Sequence, residues 1–368
     1  MDSDLILVIV VATALAFDFT NGFHDTANVV ATSISTRAAS PRTAVAFAAL
    51  LNLAGAFISL EVAATVAQDV VNPEDITTTV VFAGLIGAIT WNLITWYFAL
   101  PSSSSHALIG GVVGSTFAAA GADAVLGEGV LGKVLIPAVV APTLAFLVAW
   151  LGINITYRIV GALRPGPVNR GFRSGQVISG GMLALAHGTN DAQKTMGVIA
   201  LALVASGHLS PDADPPFWVI VSAATAIALG TYSGGWRIIR TMGTRIIKMD
   251  AAQGFNAQGA GAAVILSSSH FGFPLSTTHV ISGGVMGAGA GKRLSAVRWG
   301  VAGNMIVAWV LTLPAAAAIG AATYGFTRIF GTGAAGPLIV LAIGIALVAV
   351  AVSRRTRAAA AAPAPVSP

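Results

Sequence analysis

The chain has 368 residues, of which 55% are hydrophobic and only 9% charged, against roughly 25% charged in an ordinary globular protein. That balance leaves too little polar surface for a soluble fold. The net charge of +5 is spread in short blocks between apolar runs, which excludes a nucleic-acid-binding patch, and the absence of cysteine excludes disulfides.

The first apolar run, Leu5 to Phe17, follows Met1-Asp2-Ser3-Asp4, which lacks the basic start of a cleaved leader, so it is expected to remain as a helix. It leads into Asn21-Gly22-Phe23-His24-Asp25-Thr26-Ala27-Asn28, a polar cluster between apolar flanks. Ionisable residues inside a membrane span mark a functional site. Basic blocks fall at Arg37/Arg42, Arg158 to Arg173, Arg237 to Lys248, Lys292 to Arg298 and Arg354 to Arg357. Placing them in the cytoplasm leaves the acidic loops outside, with Lys133 and Arg328 as misfits.

On that frame residues 4–35 cross inward and 43–60 return. Residues 77–121 leave and re-enter the outer side, turning at Pro101-Ser102-Ser103-Ser104-Ser105-His106. Residues 132–157 cross inward, 174–206 outward and 217–236 inward. Residues 255–291 form an inner hairpin turning at Pro274-Leu275-Ser276-Thr277-Thr278-His279. Residues 295–325 then cross outward and 333–352 return. The expected fold is an all-α polytopic protein of the cell membrane, with about 11 membrane segments, its N-terminus outside and its C-terminus cytoplasmic. The units are 1–157, a basic loop 158–173, 174–325, a final helix 326–353 and a disordered tail 354–368.

The two halves repeat. Pro101 to Gly114 aligns without gaps on Pro274 to Gly287, and Gly22 to Asn28 aligns on Gly188-Thr-Asn-Asp-Ala-Gln-Lys194, at offsets of 173 and 166 residues. One half starts outside and the other inside, so the repeat is expected to be inverted, as in secondary transporters whose site lies at the midplane. A 32-residue span such as 4–35 would measure about 48 Å as one helix, against a hydrocarbon core of about 30 Å. A break at the Asn/Asp motif, with glycine supplying unwound backbone, is therefore expected, and the Pro-Ser/Thr-His turns read as tips of re-entrant hairpins.

The four polar segments divide chemically. Helices that begin at Ser or Thr present free N–H groups, hydroxyls and a positive dipole end, which together suit a tetrahedral oxyanion. Asp25, Asp191, Asn28 and Asn190 offer hard oxygens for a small cation or a proton. Importing a multiply charged anion against the membrane potential requires compensating positive charge. Lys194 is able to neutralise Asp191 structurally. His106 and His279 either ligate or brace the hairpins, the Gly110-Gly111 and Gly283-Gly284 pairs suit close packing, and Asn92 and Asn304 line the path or bridge helices. The tryptophans read as interface anchors and core.

These residues resemble the inorganic phosphate transporter (Pit/PiT) family, and the GFHDTAN and GTNDAQK variants resemble its bacterial low-affinity Pit branch. The resemblance runs to about Val352. It implies cation-coupled uptake of inorganic phosphate, usually proton-coupled in that branch, with a neutral metal–phosphate complex as an alternative form of the substrate. Carried over by motif, Ser103, Ser104, Ser105, Ser276, Thr277 and Thr278 are candidate phosphate contacts. Asp25, Asn28, Asn190 and Asp191 are candidate coupling-cation residues, supported by Asn21, His24, His106, His187, Lys194 and His279. Sodium-coupled members often have Asn-Asp-Val-Ala-Asn in both halves. Here the second copy ends in Gln193-Lys194, and a fixed cation in place of bound sodium favours proton coupling. The implied partners are phosphate, a proton or sodium ion, lipid and a second copy in a homo-oligomer. No cofactor or nucleic acid is called for, and the residues leave the question of a metal open.

Three other functions remain open to the residues. A sulfate permease needs the same donors. An intramembrane hydrolase lacks a Gly-x-Ser-x-Gly or His-Glu-x-x-His motif here. A passive channel has no need of two buried aspartates.

Overall fold

The structure, a computed structural model, describes the backbone of residues 2–361. Among them are thirteen helices: α1 (Asp2–Ser35), α2 (Pro41–Gly55), α3 (Glu61–Gln68), α4 (Thr78–Tyr97), α5 (Ser104–Ala120), α6 (Gly127–Val160), α7 (Pro165–Ala205), α8 (Phe217–Ser233), α9 (Trp236–Arg245), α10 (Ala251–His270), α11 (Thr277–Lys292), α12 (Trp299–Arg328) and α13 (Ala335–Ala361). Their starts are set by local chemistry. Ser40 caps α2 ahead of Pro41, Ser103 caps α5, Asp250 and Gln253 form a reciprocal capping box on α10, and Ser276 caps α11.

Four helices are long and apolar enough to cross a membrane over Asp4–Ser35, Thr78–Tyr97, Gly127–Val160 and Trp299–Arg328. Outward-facing Val139, Val140, Leu147, Val310 and Leu311 on α6 and α12 suit lipid contact rather than water. The helices after the two hairpin turns are shorter: α5 has 17 residues and α11 has 16. Almost all of both is buried, as helices sheltered inside a bundle must be. Helices α8 and α9, bent by 58° at Gly234-Gly235, make a fifth span when taken together, and these lengths and compositions leave the expected total of about 11 membrane segments unconfirmed.

The halves interlock. Helix α5 packs along α12 of the second half, and its counterpart α11 packs along α6 of the first. Likewise α1 lies against α8, and α7 against α2. Glycines make these approaches possible. A Cβ at Gly110 or Gly114 would press into the carbonyls of Leu313 and Ala317, and one at Gly283 or Gly287 into those of Pro142 and Phe146. The glycine pairs are thus packing sites, in a small-residue pattern repeated across the halves.

Three expectations need correction. Helices α1 and α7 run unbroken through Asn21–Asn28 and Gly188–Lys194. The motif glycines serve close approach instead of unwinding: Gly22 faces the Ile227 carbonyl and Gly188 the Asn52 carbonyl. Both motifs stay helical, and a helix longer than the hydrocarbon core is accommodated by tilt or by projection beyond it, without a break. The break occurs elsewhere, at Gly234, whose φ of 71° needs glycine. Second, the basic segment 158–173 is largely helical, because α7 already begins at Pro165. Third, Asn304 is exposed on the outside of α12, so it neither lines a path nor bridges helices, while Asn92 is fully buried. At the far end α13 continues to Ala361, and the rest of the expected tail, 362–368, lies outside the described residues.

Candidate functional site

The four polar segments meet in one buried cluster. The two aspartates lie about two-thirds of the way along α1 and α7, each helix held at glycine contact distance from its neighbours, and both are buried. One ligand oxygen from each of Asp25 and Asp191 and one ring nitrogen of His187 all fall within 4.8 Å of one another. His187 Nε2 is 3.0 Å from Asp191 Oδ2, one turn along α7 but off the line of a hydrogen bond, so both ring nitrogens remain without hydrogen-bond partners.

The hairpin tips reach this pair directly. The Thr278 hydroxyl lies 3.4 Å from Asp25 Oδ1, and the Thr277 hydroxyl donates to Asp191 Oδ2 at 3.2 Å. Asn28 Nδ2 donates to both threonine hydroxyls, at 3.2 and 2.9 Å. From the other side Lys194 Nζ donates to Asp191 Oδ1, to Ser105 Oγ at 2.6 Å and to Leu275 O at 2.6 Å. Three acceptors saturate the ammonium, and the short Asp191 contact makes this a buried, fully bonded ion pair.

Equivalent positions make equivalent bonds. Asn28 and Lys194 are 166 residues apart, as are the two motifs, while Ser105 and Thr278 are 173 apart, as are the two tips. Asn28 binds Thr278 and Lys194 binds Ser105, so each motif grips the hairpin of the other half. The residue before each aspartate grips the hairpin of its own half. His24 bonds Asp25 through Nδ1 at 2.7 Å and meets Thr95 Oγ1 through Nε2 at 3.2 Å; Thr95 in turn accepts from Ser102 at 2.8 Å. Asn190 donates to Ser269 Oγ at 2.8 Å and to Phe273 O at 3.0 Å. Asn190 therefore stands as a latch, with only its Oδ1 open.

The remaining expected residues are placed as follows. Ser103 and Ser276 hydroxyls accept from the His106 and His279 backbone N–H groups as helix caps, at 3.0 and 3.3 Å. This leaves the first N–H groups of α5 and α11 open, together with the Ser104 hydroxyl, which is buried without a partner. The His106 and His279 rings meet edge to face with centroids 4.8 Å apart, and His279 stacks on Trp309 at 4.2 Å. They brace one hairpin against the other and do not bond either aspartate. Asn21 is buried with its Oδ1 unpartnered.

Several participants escaped the sequence reading. Thr95 and Ser102 anchor His24, and Gln193 caps α3 by accepting from Val62 N at 2.8 Å. Asp18 is fully buried two turns before Asp25. A lone carboxylate in an apolar run was the available signal for it, the same rule that marks Asp25.

With this arrangement in view, the similarity to known proteins becomes decisive. A model of the phosphate transporter family matches residues 21–168 and 160–320. The chain belongs to that family. It is 56% identical to a probable low-affinity inorganic phosphate transporter of Mycobacterium tuberculosis, over 89% of this chain and 78% of that protein. Proteins of the same description in Rhizobium meliloti and Bacillus subtilis are 47% and 43% identical, each over 88% of this chain and 98% of theirs. A solved structure entitled the sodium-dependent phosphate transporter superposes with a TM-score of 0.80 at 23% identity, covering 88% of this chain and 99% of that one. Membership settles a transport rather than a catalytic function and a multi-pass membrane fold, which sets aside the hydrolase.

Proposed function

We propose that this family member is a symporter that carries inorganic phosphate into the cell across the cytoplasmic membrane by alternating access, driven by a cation and in the first instance by protons. The observation that carries the reading is the contact of the Thr277 and Thr278 hydroxyls with both aspartates. Anion-binding helix starts and a cation-binding carboxylate pair thereby share one buried cluster, so that binding of either charge favours the other. Phosphate would take the open N–H groups at the starts of α5 and α11 and the unpartnered Ser104 hydroxyl, with Ser105, Thr277 and Thr278 turning to it from their present bonds to Leu275 O, Asp191 and Asp25. Asp25, His187 and Asp191 would take the cation, or the metal of a metal–phosphate complex as part of the substrate. Asn28 and Asn190 would hold the two hairpins in register. Lys194 already supplies one positive charge to Asp191, which leaves less need for bound sodium. The mirrored bonds of Asn28 and Lys194 support an inverted repeat whose two hairpins exchange inward and outward exposure.

Purified protein in liposomes, given labelled phosphate under separately imposed proton and sodium gradients, tests the reading. Wild-type protein is expected to accumulate phosphate when the outside is acidic, and D25N and D191N to lose at least tenfold of that rate. Uptake that follows only the sodium gradient would replace the proton, and wild-type uptake in both variants would remove the aspartates from the site. A chelator arm identifies the carried species: loss of uptake on removal of divalent ions assigns the metal–phosphate complex.

A further inference from the structure

Asp18 is a third buried carboxylate, beside Asp25 and Asp191, and the site described above does not use it. It lies on α1 seven residues before Asp25, about 10 Å along the helix axis. Its exposure is zero, and neither carboxylate oxygen has a hydrogen-bond partner among the described residues. The nearest polar groups are the Thr195 hydroxyl on α7 and the Asn21 side chain one turn on, and the Thr195 Oγ1 and Asn21 Oδ1 atoms are themselves buried without partners. Asp18 is thus bordered by two polar side chains, each of which carries a donor as well as an acceptor oxygen. Apart from α7, the helices that pack against α1 bring no carboxylate; their ionisable side chains are Arg42 on α2, Tyr97 on α4, His106 on α5, Tyr232 on α8, Arg237, Arg240 and Arg245 on α9, His270 on α10, and His279 and Lys292 on α11. The charges that act on Asp18 are those of Asp191 and Lys194, both on α7.

An ionised carboxylate is costly to bury, and with neither oxygen hydrogen-bonded here the Thr195 hydroxyl and the Asn21 amide do not offset that cost. A neutral carboxylic acid resolves the cluster, because its O–H donates to the Asn21 amide oxygen or the Thr195 hydroxyl while its carbonyl oxygen accepts from the Thr195 hydroxyl. Thr195 adjoins Lys194 in sequence, so a change of charge at Asp18 is felt at the Asp191–Lys194 pair that grips Ser105. We propose that Asp18, with Asn21 and Thr195, is the proton-carrying site of this transporter, separate from the Asp25–Asp191 pair. In this scheme the carboxylate takes a proton from the side on which phosphate binds and releases it to the other side, with no other bond made or broken. The inference rests on the symport reading above and adds the residue that holds the proton.

The experiment compares wild type, D18N and D18E in liposomes with labelled inorganic phosphate. Net accumulation under an imposed pH gradient is measured beside phosphate–phosphate exchange between equal pools at a series of pH values. D18N, the shape of the protonated acid, is expected to lose at least tenfold of gradient-driven accumulation and to exchange with a flat pH profile, and D18E to recover part of the drive. Accumulation and a pH profile in D18N equal to wild type would overturn the assignment, as would a wild-type protein driven by sodium alone. A wild-type protein that accumulates phosphate under no cation gradient instead overturns the symport reading itself. If D18N fails to assemble, infrared difference spectra of wild type and D18E between acid and alkaline pH decide the matter: a protonated-carboxyl band that moves in D18E supports the assignment, and one that does not move defeats it.

Discussion

Lys194 is the residue on which the cluster's charge balance turns. Its ammonium is buried, bonded to Asp191, Ser105 and Leu275, and it is the counterpart of Asn28 in the other half. Removing one member of a buried ion pair strands the other charge, a loss of about 3–5 kcal/mol. K194A is therefore expected to unfold at a markedly lower temperature in detergent, and the double variant K194A/D191N to regain much of the difference. Additive losses in this cycle would mean the pair is not coupled. K194N recreates the first-half residue, and with the fixed cation gone its phosphate uptake is expected to become sodium-stimulated. Uptake of K194N that is indifferent to sodium would detach Lys194 from the choice of coupling ion.

At the scale of the helices, glycine carries the architecture. Gly188 lies against the Asn52 carbonyl and Gly114 against the Ala317 carbonyl, closer than any Cβ tolerates, whereas Gly127 and Gly132 have open space. Overpacking a tight interface costs typically 1–3 kcal/mol, and here the obstructing atoms are backbone that cannot rotate away. G188A and G114A are expected to lower the yield of folded protein and its unfolding temperature, with G127A and G132A indistinguishable from wild type. Equal stability of all four would remove the close-approach account. The same glycines show why the sequence was only partly legible. Polar motifs repeated in apolar surroundings pointed to four converging segments, and the contacts of Thr277, Thr278, Ser105 and Lys194 bring those segments together. Gly22 and Gly188, however, fit an unwound backbone as well as a tight helix crossing, and only the neighbour's position separates the two. The stacking of His279 on Trp309 depends on tertiary contact between α11 and α12, which spacing along the chain does not encode. Asp18 is legible by the rule applied to Asp25, but it stands between the apolar run ending at Phe17 and the polar cluster starting at Asn21 and belongs to neither pattern.

For the whole molecule, the interlocking of the halves decides how any movement must occur. Because α5 rests on α12 and α11 on α6, neither sequence half is able to move as a separate block. Under the proposed alternating access the moving units would be mixed, each hairpin travelling with the long helix of the other half that it packs on, against a frame of α1, α2, α7 and α8. The alternating access proposed above would require the two repeats to enter the membrane from opposite sides, and it predicts Asp123 and Asp212 outside and Arg170 and Lys248 in the cytoplasm. All four side chains are exposed, and the chain contains no cysteine, so single cysteines report position without background. In intact cells a membrane-impermeant maleimide is expected to label D123C and D212C, and to label R170C and K248C only after permeabilisation. Labelling of R170C from outside would place the segment joining the halves on the wrong face and so invert the frame. Labelling of D212C and K248C on the same face would mean that the second half does not cross between them, and the inverted repeat would fall with it.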